Sequence, residues 1–440
     1  MLNNKILISM SLAIMLFFTV GVIALFSTVD KESEKSKDKS DAVTQKVEEN
    51  DDIKHDKNTV HEQDFSAIDI KPVSEITVAQ VTQQPQFDTV SFVAVGDNIV
   101  HGSVMSYAKE LAEGTDKEYN FLPMFENVTD IIQEADLAFI NQESPFAGKE
   151  RNYSGYPMFN SPDEVGFDLI EMGFDVINLA NNHMLDRYAA GYQRTIDFWK
   201  NQEGVTYIGG FENREDYNNI RVIEKNGISI ALLSYTYSTN GVKLDKGSEM
   251  VIPLCDAAGT SEVDRQTKIA RTLADIVIVS MHWGNEDWFQ PSDLQKKQMQ
   301  IMVDNGVDVI IGTHPHVLEP MMWKERPDGG KTLVIYSLGN FLSGMLYVRN
   351  MVGGIAGFDL VKAGDKAFVT NAYLIPTVCH YDTYFRNFKV YRFSEYTEQM
   401  FDKHRTNLVS DTGRSYDYMR KIIDDAIPEE FLIEDFYKAS

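Results

Sequence analysis

Two histidines separated by a single residue follow an apolar run, in the segment GTHPH at positions 312–316. Each imidazole can reach a cation from such a position, and Pro315 restricts the backbone between the two. Another apolar run ends in HWGNE, which places His282 four residues before Glu286. A pair of surface loop histidines is the alternative interpretation, and this second, independent cluster argues against it. We therefore predict metal-binding histidines at three positions: His282, His314 and His316.

Oxygen-bearing side chains end three further apolar runs. SFVAVGD ends at Asp97, ADLAFINQE ends in Asn141 to Glu143, and FDVINLANNH ends in Asn181 to His183. Carboxylates supply anionic oxygens for a dication, and an asparagine supplies a neutral one. Each acid alone would serve equally well as a helix cap or loop residue, and the asparagines as a turn. The predicted oxygen ligands are Asp97, Glu143 and Asn182.

His183 can either bind a metal or donate a proton. Asp186, three residues later, can accept a hydrogen bond from the imidazole and fix its tautomer. This pair forms the predicted catalytic couple. Further candidates for the site are His101, Glu286 and Asn141.

The predicted ligands amount to two carboxylates, one amide and three imidazoles, with His183 in addition. This set is too large for one tetrahedral zinc ion and fits two ions that share a carboxylate. Nitrogen and oxygen donors without thiolate favour Mn, Fe or Zn over Mg or Ca. The sequence has only two cysteines, Cys255 and Cys379, which excludes a cysteine-based zinc site. Two such divalent ions would contact both oxygens of a displacement at phosphorus.

Six apolar runs must position these groups, the sixth being TLVIYSLGN, which ends at Asn340. Runs rich in Val and Ile are typical of strands buried on both faces, and a ligand site lies beyond the carboxyl ends of such strands. Helix-compatible stretches separate the runs, and Gly173 and Gly306 are stop signals after two of them. The stretches cover residues 124–134, 162–172, 188–202, 261–273 and 292–305. The sequence therefore predicts an α/β fold.

The chain changes character at both ends. After Asn340, strand-like runs follow one another without helices, which predicts an antiparallel extension, and residues 395–440 form an acidic, helix-like tail. Residues 30–88 are charged and poor in large apolar side chains, so we expect a disordered stalk there. The formal charge of −25, from 41 basic and 66 acidic residues, argues against a nucleic-acid-binding surface.

The first residues predict a membrane anchor. Lys5 precedes 24 uncharged, mainly apolar residues, Ile6 to Val29, which is long enough to span a bilayer as a helix. The stretch Leu25 to Thr28 lacks a small-residue cleavage pattern, which favours a retained signal anchor over a cleaved signal peptide. With Lys5 on one side and Asp30 on the other, we expect residues 1–29 to comprise a cytoplasmic start and the anchor helix, with the body outside the cell membrane.

The ordered motifs GDNIVH, NQES, NLANNHMLD, HWGNE, GTHPH and SLGNF resemble those of the capsule-synthesis CapA family. That family comprises poly-gamma-glutamate synthesis accessory proteins and is a branch of the calcineurin-like metallophosphoesterases. The resemblance covers about residues 90–343. It implies a two-sheet sandwich domain over residues 89–394 that holds two divalent metal ions, in a membrane-anchored, extracytoplasmic protein.

The resemblance also implies roles for single residues. Asp97 stands at the first metal aspartate, Glu143 at the bridging carboxylate and Asn182 at the ligating asparagine, whereas His183 is implied to be an acid and not a ligand. His282, His314 and His316 match the remaining imidazole ligands. The superfamily's Asp-x-His start is absent, because Asn98 and Ile99 follow Asp97, and His101 could supply that ligand from a different spacing. Gln142 replaces a residue that is apolar in the commoner motif.

The implied function is synthesis or export of an anionic capsule polymer of the poly-gamma-glutamate type. The implied partners are the membrane, capsule synthase subunits, and a capsule polymer or a phosphoester substrate. As an enzyme, the protein would carry out metal-assisted phosphoester hydrolysis. The alternatives are a non-catalytic, polymer-binding assembly factor of a capsule synthase complex and a family fold whose metal site has decayed.

Overall fold

The computed structural model describes residues 87–255, 259–408 and 414–433. The predicted anchor and nearly all of the predicted stalk lie outside these ranges. Within them, no helix combines the length and apolar character that a bilayer crossing requires.

One sheet of eight strands contains the first three motif-bearing runs. Its strands are β1 (Asp88–Asn98), β2 (Leu137–Gln142), β3 (Val176–Asn178), β4 (Thr206–Ile208), β11 (Asn340–Leu342), β12 (Val352–Ala363), β13 (Lys366–His380) and β14 (Lys389–Arg392). The spatial order is β14-β13-β12-β1-β2-β3-β4, with β11 beside β1. Strands β1 to β4 run parallel, and β12 to β14 are antiparallel to their neighbours.

A second sheet of six strands contains the other three motif-bearing runs. Its strands are β5 (Arg221–Lys225), β6 (Ile228–Thr236), β7 (Ile276–His282), β8 (Val309–Thr313), β9 (Leu318–Glu325) and β10 (Lys331–Leu338). The order is β5-β6-β7-β8-β10-β9, in which the four central strands are parallel and the two edge strands antiparallel. The strand-rich extension predicted after Asn340 is thus not a separate layer, since β12 pairs directly with β1 of the first sheet.

The described helices are α1 (Gly102–Leu111), α2 (Thr129–Glu134), α3 (Asp163–Met172), α4 (Tyr188–Lys200), α5 (Arg214–Asn218), α6 (Thr260–Ala270), α7 (Asp293–Asp304), α8 (Glu398–Phe401) and α9 (Tyr416–Ala426). Gly173 and Gly306 follow α3 and α7 with positive φ angles of 103° and 78°, as their stop-signal role predicts. Ser292 caps α7 in a reciprocal arrangement with Gln295. The helix predicted over residues 124–134 is confined to α2, and α1 was not predicted.

The two sheets pack face to face because alternate residues of their strands are apolar. Ile276 and Ile278 of β7 belong to the same buried cluster as Phe92 of β1, between the sheets. The intervening Val277 and Val279 face the other way and pack with helices α6 and α7. The second sheet is therefore buried on both faces, which explains why its strands are continuous apolar runs. The parallel strands of both sheets end at one edge, where the polar motifs begin.

Candidate metal centre

Strand ends of the first sheet supply the oxygen donors. Asp97 lies at the end of β1, Glu143 directly follows β2, and Asn182 lies in the turn after β3. All three side chains are buried. Parallel pairing sets Asp97 opposite Asn141 and Asn141 opposite Asn178, so the three strands end in line.

Strand ends of the second sheet supply the imidazoles. His282 is the last residue of β7 and pairs in register with Thr313, the last residue of β8. His314 and His316 follow β8 with φ angles of 97° and 58°, in the left-handed region that residues with a side chain seldom adopt. The N–H of His314 donates to Oδ2 of Asp97 at 3.2 Å, which holds this loop against the first sheet. Such backbone strain occurs where surrounding contacts impose it, often at functional sites.

Three imidazole nitrogens converge on one carboxylate oxygen. Oε1 of Glu143 lies 3.9 Å from Nε2 of His183, 3.9 Å from Nε2 of His282 and 3.8 Å from Nε2 of His316. These separations are too long for hydrogen bonds. Within the described ranges, both Glu143 oxygens and Nδ1 of His314 are buried and have no hydrogen-bond partner.

A divalent cation fits this donor set. Bonds from a metal to nitrogen or carboxylate oxygen are about 2.0–2.2 Å long, so two donors that share an ion lie roughly 3–4 Å apart. The donor atoms also form two groups, each with all members within 4.8 Å of one another: Asp97, Glu143 and His282, and Glu286, His314 and His316. Glu286 is the only exposed member of the two groups.

Hydrogen bonds around Asp97 fix the tautomer of His316. Nδ1 of His316 lies 3.0 Å from Oδ2 of Asp97 and 3.0 Å from Oδ1 of Asn340. Nδ2 of Asn340 donates to the carbonyl of Asn350, so its Oδ1 is free to accept. With two oxygen acceptors beside it, Nδ1 of His316 holds a proton, so Nε2, which faces Glu143, is the nitrogen that would release its proton to bind a cation.

Asn141 contributes its amide N–H rather than its oxygen. Its Nδ2 donates to Oδ1 of Asp97 at 2.7 Å, while its Oδ1 accepts from Nδ2 of Asn178 at 2.8 Å. Ser234 in turn donates to Oδ1 of Asn178. Asn141 therefore orients Asp97, and the structure does not offer its oxygen as a ligand atom.

Asn182 and His282 join the two sheets directly. Oδ1 of Asn182 lies 2.9 Å from Nε2 of His282, and Nδ1 of His282 lies 2.9 Å from Oγ1 of Thr313. The amide oxygen of Asn182 thus reaches the same space as the imidazole nitrogen, as a shared ion requires.

His183 is oriented by Asp186. Nδ1 of His183 lies 2.8 Å from Oδ2 of Asp186, and this oxygen also accepts the backbone N–H of Phe159 at 2.7 Å. Because Asp186 holds Nδ1, Nε2 of His183 faces Glu143. That position suits either a proton donor or a metal ligand. Nε2 of His183 lies as far from Oε1 of Glu143 as Nε2 of His282 does, 3.9 Å in each case.

The structure does not bring His101 into either donor group. Nδ1 of His101 accepts the N–H of Gly344 at 3.0 Å, and its ring packs edge-on against Phe159. Burial lowers the pKa of His101 to about 4.

The unusual Gln142 has a specific contact, since Nδ2 of Asn98 donates to its Oε1 at 2.6 Å. The two residues thus form a buried pair, adjacent in the chain to Asp97 and Glu143.

Buried charge dominates the electrostatics of the centre. Burial and the nearby carboxylate of Asp97 raise the pKa of Glu143 well above its ordinary value. Burial lowers the pKa values of His282 and His314 well below the usual range, assisted by neighbouring imidazoles, so both are neutral and have a lone pair to offer. For His316, burial is outweighed by the carboxylates of Glu143 and Asp97, which raise its pKa to about 10.

Several residues of the centre had no role assigned from the sequence. Asn340 ends the sixth apolar run, and this was the signal for its place beside His316. Thr313, whose Oγ1 lies 2.9 Å from Nδ1 of His282, is part of the GTHPH motif, and this was its sequence signal. Asn178 and Tyr237, whose ring centroid lies 4.4 Å from that of His314, gave no sequence signal, because they lie inside or just after an ordinary strand.

Comparisons with known proteins agree with the motif pattern. The capsule biosynthesis protein CapA of Bacillus anthracis is 29% identical over 264 residues, which cover 59% of this chain and 62% of that protein. The PGA biosynthesis protein CapA of Bacillus subtilis is 30% identical over 285 residues, covering 64% of this chain and 70% of that protein. The chain thus spans less than two thirds of the B. anthracis relative.

Solved structures give weaker likenesses. A phosphatase from Mycoplasma pneumoniae is 16% identical with a TM-score of 0.40, over 67% of this chain and 95% of that chain. The calcineurin-like phosphoesterase YfkN from Bacillus subtilis is 12% identical with a TM-score of 0.39, over 77% of this chain and 97% of that chain. These scores are too low to support an assignment. The sequence model of the bacterial capsule synthesis protein PGA_cap matches residues 91–345 and, together with the B. subtilis relative, shows that the chain belongs to this capsule synthesis family.

Proposed function

We propose that this protein is a membrane-anchored, extracytoplasmic capsule-synthesis protein whose two-metal centre hydrolyses a phosphoester bond. The observation that carries the proposal is the convergence of three imidazole Nε2 atoms on Oε1 of Glu143, at 3.8–3.9 Å. The names of the two Bacillus relatives support the capsule context.

Six residues would hold the ions: Asp97, Glu143, Asn182, His282, His314 and His316. The mixture of nitrogen and oxygen donors favours Mn, Fe or Zn. When bound, the ions would neutralise negative charge that develops on the phosphoryl oxygens. The neutral state of His282 and His314 and the unpartnered oxygens of Glu143 fit this role.

His183 would protonate the leaving oxygen. In the hydrolysis, the oxygen of a water molecule forms a bond to phosphorus and the bond from phosphorus to the leaving oxygen breaks. Nε2 of His183 gives its proton to that leaving oxygen, and the attacking water releases its own proton to solvent. Asp186 keeps Nδ1 of His183 protonated and fixes the plane of the ring.

Metal content and turnover of the purified full-length protein test the proposal. We expect about two ions per chain and hydrolysis of bis(p-nitrophenyl) phosphate. His316→Ala should lower the metal content, because water does not replace a lost ligand without a loss of affinity. His183→Ala should keep the metal and slow turnover by roughly 10²–10⁴-fold, as for loss of a general acid. Asp186→Asn should have a smaller effect, because it disturbs only orientation.

The control is His61→Ala, a histidine that the sequence places in the stalk. If His183→Ala strips the metal as fully as His316→Ala does, His183 is a ligand and the acid assignment is wrong. Two bound ions without turnover of any phosphoester would instead favour the second candidate, a non-catalytic polymer-binding assembly factor. The relatives' names favour that candidate equally, since they refer to capsule and PGA synthesis and not to phosphoester hydrolysis.

A further inference from the structure

A short segment after β6 borders the centre. It covers residues 237–240 and begins with Tyr237, which directly follows the last residue of the strand. The N–H of Tyr237 donates to the carbonyl of His282 at 2.9 Å. At the other end of the segment, Oδ1 of Asn240 accepts from Nδ2 of Asn182 at 3.3 Å. The segment therefore contacts two of the proposed metal ligands, one from each sheet.

The centre is open to solvent beside this segment. Asn240 is exposed, although it bonds to the buried side chain of Asn182. Glu286 is also exposed, although a carboxylate oxygen of this residue lies within 4.8 Å of a ring nitrogen of His314 and of one of His316. Two exposed residues thus lie beside buried donors of the centre. A ligand can therefore approach the donors from this side.

The ring of Tyr237 packs against the imidazole of His314. The two ring centroids are 4.4 Å apart, and the ring planes are tilted by 38°. The side chain is partly buried against the hydrophobic cluster on the outer face of the second sheet. These contacts involve the aromatic ring, and a phenylalanine would make them equally well. They do not explain why the residue carries a hydroxyl.

The hydroxyl of Tyr237 has no hydrogen-bond partner among the described residues. Buried tyrosine hydroxyls usually find a partner, and those of Tyr192 and Tyr235 donate at 3.0 and 2.7 Å. Burial and the carboxylates of Glu286 and Glu143 raise the pKa of Tyr237 to about 12, so the hydroxyl lies within the electrostatic reach of both acids. The residue thus offers a free donor beside the open side of the centre.

A phosphoryl group is suited to this donor by its shape. Its oxygens are arranged as a tetrahedron, so one can point towards the open side while others face the buried donors. A carboxylate has only two oxygens, which lie in one plane with its carbon. When both face the buried donors, none is left for a hydroxyl at the open side. A hydrogen bond to a charged oxygen is also roughly twice as strong as one between neutral groups.

We propose that the hydroxyl of Tyr237 donates a hydrogen bond to an oxygen of a phosphoryl group bound at the centre, and that it favours this group over a carboxylate. The inference rests on the proposed phosphoesterase function and adds a residue that selects its substrate class. The ring of Tyr237 supports His314, whereas the hydroxyl contacts the ligand, so a mutation can separate the two roles.

The test compares phenylphosphonate and benzoate, which share a ring and differ in the anion, by calorimetric binding to the full-length protein loaded with Mn²⁺. The parent should bind phenylphosphonate more tightly than benzoate. Tyr237→Phe should raise the Kd of phenylphosphonate about tenfold, because it removes a hydrogen bond to a charged oxygen, and should leave benzoate binding unchanged. The metal content should equal that of the parent, because phenylalanine keeps the ring against His314.

Tyr373→Phe is the matched control. Tyr373 is also a partly buried tyrosine, packed against the main hydrophobic cluster. It pairs with Gly357 of β12, which in turn pairs with Val93 of β1, four residues before Asp97. Removal of its hydroxyl should therefore leave the binding of both anions unchanged. Thermal unfolding of the two variants checks that each fold is intact.

Binding and turnover separate this inference from the proposed function. If the parent binds phenylphosphonate in a Tyr237-dependent way but hydrolyses no phosphoester, the inference stands and the hydrolytic function fails. If the parent hydrolyses bis(p-nitrophenyl) phosphate and Tyr237→Phe binds phenylphosphonate as tightly as the parent does, the function stands and the inference is wrong. Equal weakening of both anions, loss of metal from Tyr237→Phe, or failure of the parent to bind phenylphosphonate would also overturn the inference.

Discussion

Glu319 shows how a single buried carboxyl makes stability depend on pH. It lies in β9, fully buried, with Oε2 accepting from Nε2 of Gln295 at 2.8 Å and with Oε1 unpartnered within the described ranges. Burial raises its pKa from 4.5 to about 8. The folded chain therefore keeps a proton that the unfolded chain releases between these pH values, and stability falls as the pH rises through this window.

Replacing Glu319 by glutamine should remove this dependence. Below about pH 4.5 the parent and Glu319→Gln should differ little, and the advantage of the variant should grow up to about pH 8 and then level off. The advantage at high pH should be on the order of a few kcal/mol. Urea unfolding at a series of pH values measures it. Glu325→Gln, on the same strand but exposed, is the control, and a pH profile parallel to that of the parent in Glu319→Gln would contradict the assignment.

At the level of secondary structure, close contact between β1 and the segment around Gly339 positions the centre. Gly96, beside Asp97 in β1, lies so close to β11 that an added Cβ would come within 1.9 Å of the carbonyl oxygen of Gly339. The N–H of Asp97 donates to this same carbonyl at 3.0 Å. A side chain at position 96 would therefore push β1 away from the segment that carries Asn340.

Gly96→Ala should destabilise the fold by roughly 1–3 kcal/mol, the usual cost of overpacking against a neighbour that cannot move. It should also weaken metal binding, because both Asp97 and Asn340 shift. Gly102→Ala is the control, since no atom lies within 4 Å of its added Cβ. Chemical unfolding and metal titration give the two readouts. Equal stability of the two variants would show that β1 and β11 tolerate separation.

The sequence predicted the strands better than it predicted which strands pair with one another. All six apolar runs are strands, and His183, His282 and His316, which were predicted to converge, lie 3.8–3.9 Å from Oε1 of Glu143. Periodicity could not show that the runs divide between two sheets, because pairing of parallel strands depends on contacts distant in sequence. The donor role of Asn141 depends on Asn178 and Ser234, whose meeting requires both sheets to be in place. The segment of residues 154–160, whose Phe159 packs against the ring of His183, has no apolar alternation, so nothing in the sequence indicated this contact.

For the whole molecule, anchoring and charge lead to a further prediction. The predicted span Ile6–Val29 should hold the full chain in the membrane, so that detergent releases it and high salt does not. The net charge of −25 supports this expectation, because an acidic body is repelled by anionic lipid headgroups and would not bind them electrostatically. Fractionation of expressing bacteria measures it, and protease added to spheroplasts should digest the body from outside. A mature N-terminus near Thr28, found in culture fluid free of membranes, would contradict the prediction.

The proposed metal ligands come from both sheets, so the stability of the protein would depend on the concentration of free metal. Asp97, Glu143 and Asn182 come from one sheet, and His282, His314 and His316 come from the other. An ion bound by both sets would link the two sheets. Its contribution to the free energy of unfolding would grow with the logarithm of the free ion concentration. Scarcity of the metal around the protein would loosen this edge first and expose it to proteases. The lifetime of the folded protein would then depend on how much free metal its surroundings hold.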